Sequence, residues 1–173
     1  MNMKPLPPVT LRAIEPEDLE TLYQIENDRT LWDASNTNVP YSHYLLNDFL
    51  LRTTGDIYAD KQVRLVVEDR DRQPVGLADI FDFNPKHRRA ELGLAVRSSL
   101  RGQGYGLSAL QQLVGYARHT LQLHQVYAYI SVDNESSLAL FRQAGFDTSV
   151  RLAEWLYDGA AYHDAVFARL TLC

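Results

Sequence analysis

The spacing of apolar residues changes several times along the chain, and each change marks an element. Residues 9–14 alternate as a short strand. Pro16 then stands at the favoured first turn of a helix, with Glu17 and Asp18 at its positive end. Leu19, Leu22, Tyr23 and Ile25 follow at helical spacing, which predicts an amphipathic helix to about residue 28. Polar residues and Pro40 make 29–41 a loop, and Ser42 caps a second helix carrying Leu45, Leu46, Phe49 and Leu50. The period then falls to two. Residues 62–68 and 75–83 read as strands joined by a turn at Asp69-Arg-Asp-Arg-Gln-Pro74. A third strand at 89–97 puts Leu92, Leu94 and Val96 on one face and Glu91, Gly93 and Ala95 on the other. A glycine-rich loop leads into a helix over 105–121, followed by a strand at 125–132 and a helix over 134–144 that stops at Gly145. Two last strands meet at Asp158-Gly159, a tight-turn pair. The pattern predicts one mixed α/β domain over residues 1–173, without repeat, linker or low-complexity tract.

Composition narrows the classes. With 46% apolar and 23% charged residues, the 173-residue chain is rich enough in core formers to fold. A net charge of −5 argues against nucleic acid and suits a cationic partner, though such a charge also serves solubility. The single cysteine, Cys173, allows no disulfide within the chain and is poorly placed for a nucleophile. No apolar run reaches signal-peptide length or the roughly 20 residues of a membrane span. The expectation is a soluble cytoplasmic protein, with no metal and no membrane partner.

The chemistry concentrates in two segments. Arg101-Gly102-Gln103-Gly104-Tyr105-Gly106 lies between a strand and a helix, where glycines let backbone N–H groups converge and the helix adds its positive end. An anion is the natural guest, although the same glycines serve a plain tight turn. The loop lacks the Gly-Lys-Ser/Thr ending of a triphosphate loop, and its G-x-G-x-G spacing late in the chain does not fit a dinucleotide fingerprint. The second segment, Asn134-Glu-Ser-Ser137-Leu-Ala-Leu-Phe141-Arg-Gln-Ala-Gly145-Phe146, follows the next strand about thirty residues on. There Asn134 also fits a helix N-cap, and Leu138, Phe141 and Phe146 also fit a core.

Both motifs, in this order and each after a strand, resemble the signatures of the GNAT acyltransferase superfamily. Within it, Gly76-Leu-Ala-Asp79-Ile-Phe-Asp82-Phe-Asn84, the run His87 to Glu91 and the Tyr157-Asp158-Gly159 hairpin are similar to the spermidine N-acetyltransferase group, over about residues 75–169. The resemblance implies a mostly antiparallel twisted sheet, splayed between its fourth and fifth strands and flanked by about four helices. It implies acetyl-CoA as cofactor, with Arg101, Gly102, Gln103, Gly104, Tyr105 and Gly106 around the pyrophosphate. Asn134, Ser137 and Phe141 would border the pantetheine end, and the backbone of Leu94, Ala95 and Val96 would polarise the thioester carbonyl. It also implies direct attack by a primary amine and a homodimer.

A protonated alkylamine must lose a proton before it attacks, so something must accept that proton, directly or through water, and a carboxylate facing the cleft would also attract the amine cation. Glu91 is the first candidate base. Asp79 and Asp82 are candidate amine anchors, but three residues apart on a regular strand they face opposite sides unless a bulge intervenes. Phe141 stands where many family members have a tyrosine that protonates the leaving thiolate, so Tyr129 or a water is left for that role. Trp32, a candidate substrate contact, sits in a loop, 31–38, with a single acid, Asp33, which argues against an effector site for polyamines there. A catalytically idle acetyl-CoA sensor is the alternative reading.

Overall fold

Branched and aromatic residues build seven strands: β1 (Val9–Ala13), β2 (Val63–Asp69), β3 (Pro74–Asn84), β4 (Arg89–Val96), β5 (Gln125–Ser131), β6 (Asp147–Tyr157) and β7 (Tyr162–Thr171). The structure, a computed structural model, describes residues 5–34 and 39–172, with the backbone alone for 32–34. The strands form one sheet in the order β1-β2-β3-β4-β5-β7-β6. Neighbours are antiparallel except β4 and β5, which run parallel and pair only at Arg89–Gln125, Ala90–Val126 and Glu91–Tyr127. Beyond Glu91 the two strands separate, which is the splay expected from the sequence.

Strand alternation divides the core between the two faces. Leu65, Val67, Ala78, Ile80, Leu92 and Val126 point to one face, where α4 (Tyr105–His119) and α5 (Glu135–Gln143) pack with Leu110, Leu113 and Leu138. Val66 and Leu77 point to the other and meet Leu22 and Ile25 of α1 (Leu19–Glu26) and Leu46 of α2 (His43–Arg52). Each such fully buried side chain contributes about 1.5–3 kcal/mol of hydrophobic stabilisation.

The local signals hold with small shifts. Ser42 caps α2 by accepting from the Leu45 N–H at 3.1 Å. Pro16 opens a 3-10 turn, Pro16–Asp18, and α1 begins only after it. The loop at 29–41 contains a further 3-10 turn, Arg29–Ala34. A short helix, α3 (Ile57–Asp60), was not legible in the sequence; Asp56 caps it through the Tyr58 N–H. The last hairpin turns at Gly159-Ala160, one residue later than the expected pair, with Asp158 N–H bonded to the Ala161 carbonyl and Gly159 at φ +99°. Among the described residues no helix is long and apolar enough to cross a membrane.

One polar cluster ties β1 into this frame. Arg12 donates to both oxygens of Asp18 at 2.6 and 2.8 Å and to Glu68 on β2. Both carboxylates are nearly buried.

Candidate active site

The floor of the site is the sheet face under α1 and α2. The register sets Glu91 opposite Phe81 on β3 and beside Tyr127 on β5, so all three share that face. Between Phe81 and Asn84 the β3–β4 register slips: two β3 residues stand against one on β4, and Asp82 adopts φ +49°. A bulge re-aims side chains. Here it turns Asp82 onto the face of Asp79 and Glu91, where the Tyr127 hydroxyl donates to its carboxylate. Burial raises the Glu91 pKa to about 7, and the negative charge of Asp82 adds to the shift. Burial also raises the Tyr127 phenol, with the Asp82 hydrogen bond second.

Asp79 is on the same face but already engaged. Arg64 on β2, its cross-strand partner, donates to its two oxygens at 2.6 and 3.2 Å and reaches Glu26 of α1 at 2.5 Å. Asp79 therefore offers no open anionic anchor, contrary to its reading as an amine ligand. These residues border a cleft of about 540 Å³ beneath α1 and α2, with Tyr41, Phe49, Phe81 and Gly93.

The separation of β4 from β5 exposes backbone donors. Arg97 N–H bonds to the Val75 carbonyl at 2.9 Å, so odd-numbered β4 residues hydrogen-bond towards β3. The Arg88 carbonyl accepts from His124 and Gln125 at the start of β5, so even-numbered residues face β5. Of the three backbone positions expected to line the gap, Leu94 and Val96 turn their N–H groups into it; Ala95 is turned towards its β3 partner, Leu77. The Val96 carbonyl is held by Arg101 Nε at 3.1 Å.

The glycine loop lies at the wide end of the gap. Gly102 and Gly104 have φ +73° and +91°, and Gly104 caps the 15-residue α4. A Cβ on Gly104 would stand 3.0 Å from Pro7 Cδ and 3.3 Å from Leu6. A helix start without side chains, beside an open strand edge, fits an elongated anionic cofactor. Tyr105 begins α4 and packs partly on the core, and Gln103 folds back to the Ser99 carbonyl at 3.1 Å. The other Arg101 nitrogens reach Thr30 Oγ1 at 3.0 Å and Asp28 at 3.5 Å, which ties the loop to the end of α1. A Gly104→Ala variant is expected to bind CoA roughly tenfold more weakly by calorimetry, because relief of the left-handed strain re-aims the loop N–H groups. Gly115→Ala, farther along α4 and with nothing within 4 Å of the added Cβ, is the control. Equal affinities for the two variants would contradict this.

Asn134 acts as an N-cap: its Oδ1 accepts from Ser137 N–H at 3.1 Å and Ser136 Oγ at 3.0 Å, and Ser137 is half-buried in the first turn. Phe141 is 4% exposed and packs edge-on against Phe146, ring centroids 4.8 Å apart. Its side chain packs in the core and leaves little surface for the cofactor border expected there. Tyr129 is on the Glu91 face; burial, then the nearby Glu91 charge, raises its phenol, which makes it a poor proton donor. The Trp32 and Asp33 side chains and residues 35–38 lie outside the described residues, as does Cys173. Sequence reasoning missed the engagement of Arg64, whose parity opposite Asp79 was readable, and the clamp of Tyr127 on Asp82, which depends on the bulge. Among the described residues no group of three or more His, Cys, Asp or Glu side chains is arranged to hold a metal ion.

Comparison with known proteins agrees with this geometry. Residues 9–147 match the family described as acetyltransferase (GNAT) domain. The spermidine N(1)-acetyltransferase of Vibrio cholerae is 26% identical over 156 residues, covering 90% of this chain and 88% of that one. A putative ribosomal N-acetyltransferase, YdaF of Bacillus subtilis, is 27% identical over 166 residues, covering 94% and 90%. The solved structure of spermidine N-acetyltransferase from Vibrio cholerae in complex with CoA and spermine superposes with a TM-score of 0.84, at 26% identity and 95% coverage of each chain.

Proposed function

Since the chain belongs to the GNAT acetyltransferase family and is an acetyl-CoA-dependent N-acetyltransferase, we propose that its acceptor is a polyamine-like primary amine and that Glu91 takes the proton from it. Acetyl-CoA supplies an acyl carbon activated as a thioester. Gly102, Gly104, Gly106 and the first N–H groups of α4 would hold the pyrophosphate, with Arg101, tied to Val96, Thr30 and Asp28, fixing the loop beside it, and the Leu94 and Val96 N–H groups would orient the acyl end in the β4–β5 gap. The observation that carries the acceptor reading is the pair of carboxylates, Glu91 and Asp82, on the sheet face at the start of that gap. Two acids there attract an alkylammonium, and the partly buried Glu91 has the proton affinity to deprotonate it near neutral pH. The likeness to spermidine acetyltransferases supports the same class. A catalytically idle sensor is not favoured by these similarities.

The proton balance is simple. The bound ammonium gives one proton to Glu91, the freed amine nitrogen bonds to the acyl carbon, the carbon–sulfur bond breaks, and the second proton leaves the nitrogen through water to neutralise the departing thiolate. A thiol titrates at about 8.5, so the thiolate is a tolerable leaving group without a tyrosine at position 141.

A second copy of the chain is expected to dock along β6, an edge strand of 11 residues with none buried. Thiol release from acetyl-CoA, followed with spermidine, amino acids and a ribosomal-protein N-terminal peptide, tests the acceptor. Turnover with spermidine and little with the others is the expected result. Preference for the peptide would replace the polyamine reading with that of a protein acetyltransferase.

A further inference from the structure

The β6–β7 hairpin is bulged outside the groups that hold the cofactor and the base. Leu152 pairs with Ala165 and Leu156 with His163, so three β6 residues stand against one on β7. Within this bulge Glu154 has φ +49°, and its N–H is capped by Asp164 Oδ1 at 2.9 Å. Arg151 holds the other Asp164 oxygen at 2.6 Å. On a regular strand Trp155 would point away from the Glu91 face, because Leu152 is on that face, three residues earlier. The bulge brings it back, and the indole stacks on Tyr129 with centroids 5.6 Å apart and planes at 30°.

The result is a graded row of rings. Tyr127, clamped to Asp82 and beside Glu91, is buried; Tyr129 is 36% exposed and Trp155 54% exposed. Phe167 closes the row from β7, 5.4 Å from both tyrosine rings. Two carboxylates sit at the inner end and an open indole at the outer end. Arg89, on the same face, is the nearby cation, and Arg169 is paired with Asp147. An aromatic surface leading from a pair of acids suits an alkyl chain carrying positive charge, because ring faces attract cations and cover methylene groups.

We propose that Trp155, aimed by the β6 bulge onto Tyr129, forms the outer end of an aromatic wall that receives the distal cationic arm of the acceptor and so determines which amines the enzyme takes. It rests on the amine-acetyltransferase reading. The other wall of the site gives no such hold, since Arg64 neutralises Asp79 and Glu26 there.

Steady-state kinetics with n-butylamine, butane-1,4-diamine and spermidine test the proposal. Trp155→Ala is expected to raise KM for spermidine about tenfold, with less effect for the diamine, none for butylamine, and kcat little changed. Trp155→Phe should restore most of the loss, and Trp155→Lys should exceed it for spermidine by adding a repelling charge. An equal change for all three amines, no change for any, or losses that follow altered particle mass in sedimentation would overturn the role of Trp155. If the wild-type protein acetylates no amine, both the acceptor reading and this inference fall. If it acetylates spermidine and the variants match it, only the inference falls.

Discussion

Glu91→Gln is expected to lower kcat for amine acetylation by about 10²–10⁴-fold, with CoA affinity changed less than about twofold. The glutamine keeps the shape and hydrogen-bonding reach of the side chain but cannot take a proton. The cofactor residues lie on the loop and at the open edge, so their geometry is unaffected. The pH profile separates this role from simple electrostatic attraction. An alkylamine titrates near 10.4, so without an enzymic base log kcat/KM should climb with unit slope across the whole neutral range as free amine accumulates. With Glu91 as base and the ammonium as the form that binds, kcat/KM rises through about pH 7 and then levels. The sign follows from the site: burial and Asp82 disfavour the charged carboxylate, so the competent base fraction grows only as pH passes the raised pKa. Binding the cationic amine offsets Asp82, so the limb in kcat should lie lower than the limb in kcat/KM. A continuous unit slope to pH 9 in the wild type, or a Glu91→Gln profile that keeps the limb near 7, would remove Glu91 from the role of base.

The parts of this site legible in the sequence are those that depend on local chemistry. Glycines at 102 and 104 need left-handed backbone and so mark the loop. Ser42 and Asn134 are short polar residues just before apolar periodicity, and both cap helices. The alternation from Arg89 onwards placed Glu91 on the face away from Leu92 and Leu94, as the register has it. What was hidden depends on breaks in alternation. Asp82 and Trp155 reach the Glu91 face only through bulges; for Asp82 the sequence names a bulge as the condition without placing one, and period-two reasoning sends Trp155 to the wrong side. The bulges have no clear signature, since their positive-φ residues, Asp82 and Glu154, are not glycines. The burial of Phe141 was readable as core spacing, whereas the resemblance drew attention to it as a residue at the cofactor border.

Arg12→Ala is expected to destabilise the fold by about 3 kcal/mol at neutral pH, the low end of the 3–5 kcal/mol typical for breaking a buried ion pair. The low end applies because Arg12 itself is 32% exposed, although the Asp18 and Glu68 side chains keep only 7% and 10% of their surface. Removing the guanidinium leaves two charged groups with little water to replace it. Asp18 keeps one partner, the Glu15 N–H at 2.8 Å, so Glu68 bears more of the loss. The midpoint of urea unfolding should fall by about 1–2 M without a change in slope. The effect has a sign in pH. The hydrogen bonds from Arg12 lower the folded-state pKa of Asp18. Its contribution is therefore fully present above the unfolded value of about 3.9 and is lost as pH falls through the depressed folded value. The gap between wild type and variant should be widest near neutrality and narrow below about pH 4, as Asp18 becomes protonated and needs the cation less. Arg12→Lys, which keeps the charge and loses the fork across Asp18, should recover part of the loss. A neutral-pH gap under about 1 kcal/mol, the usual worth of a surface pair, would mean that solvent already screens the cluster and that β1 is held to α1 by apolar contacts alone.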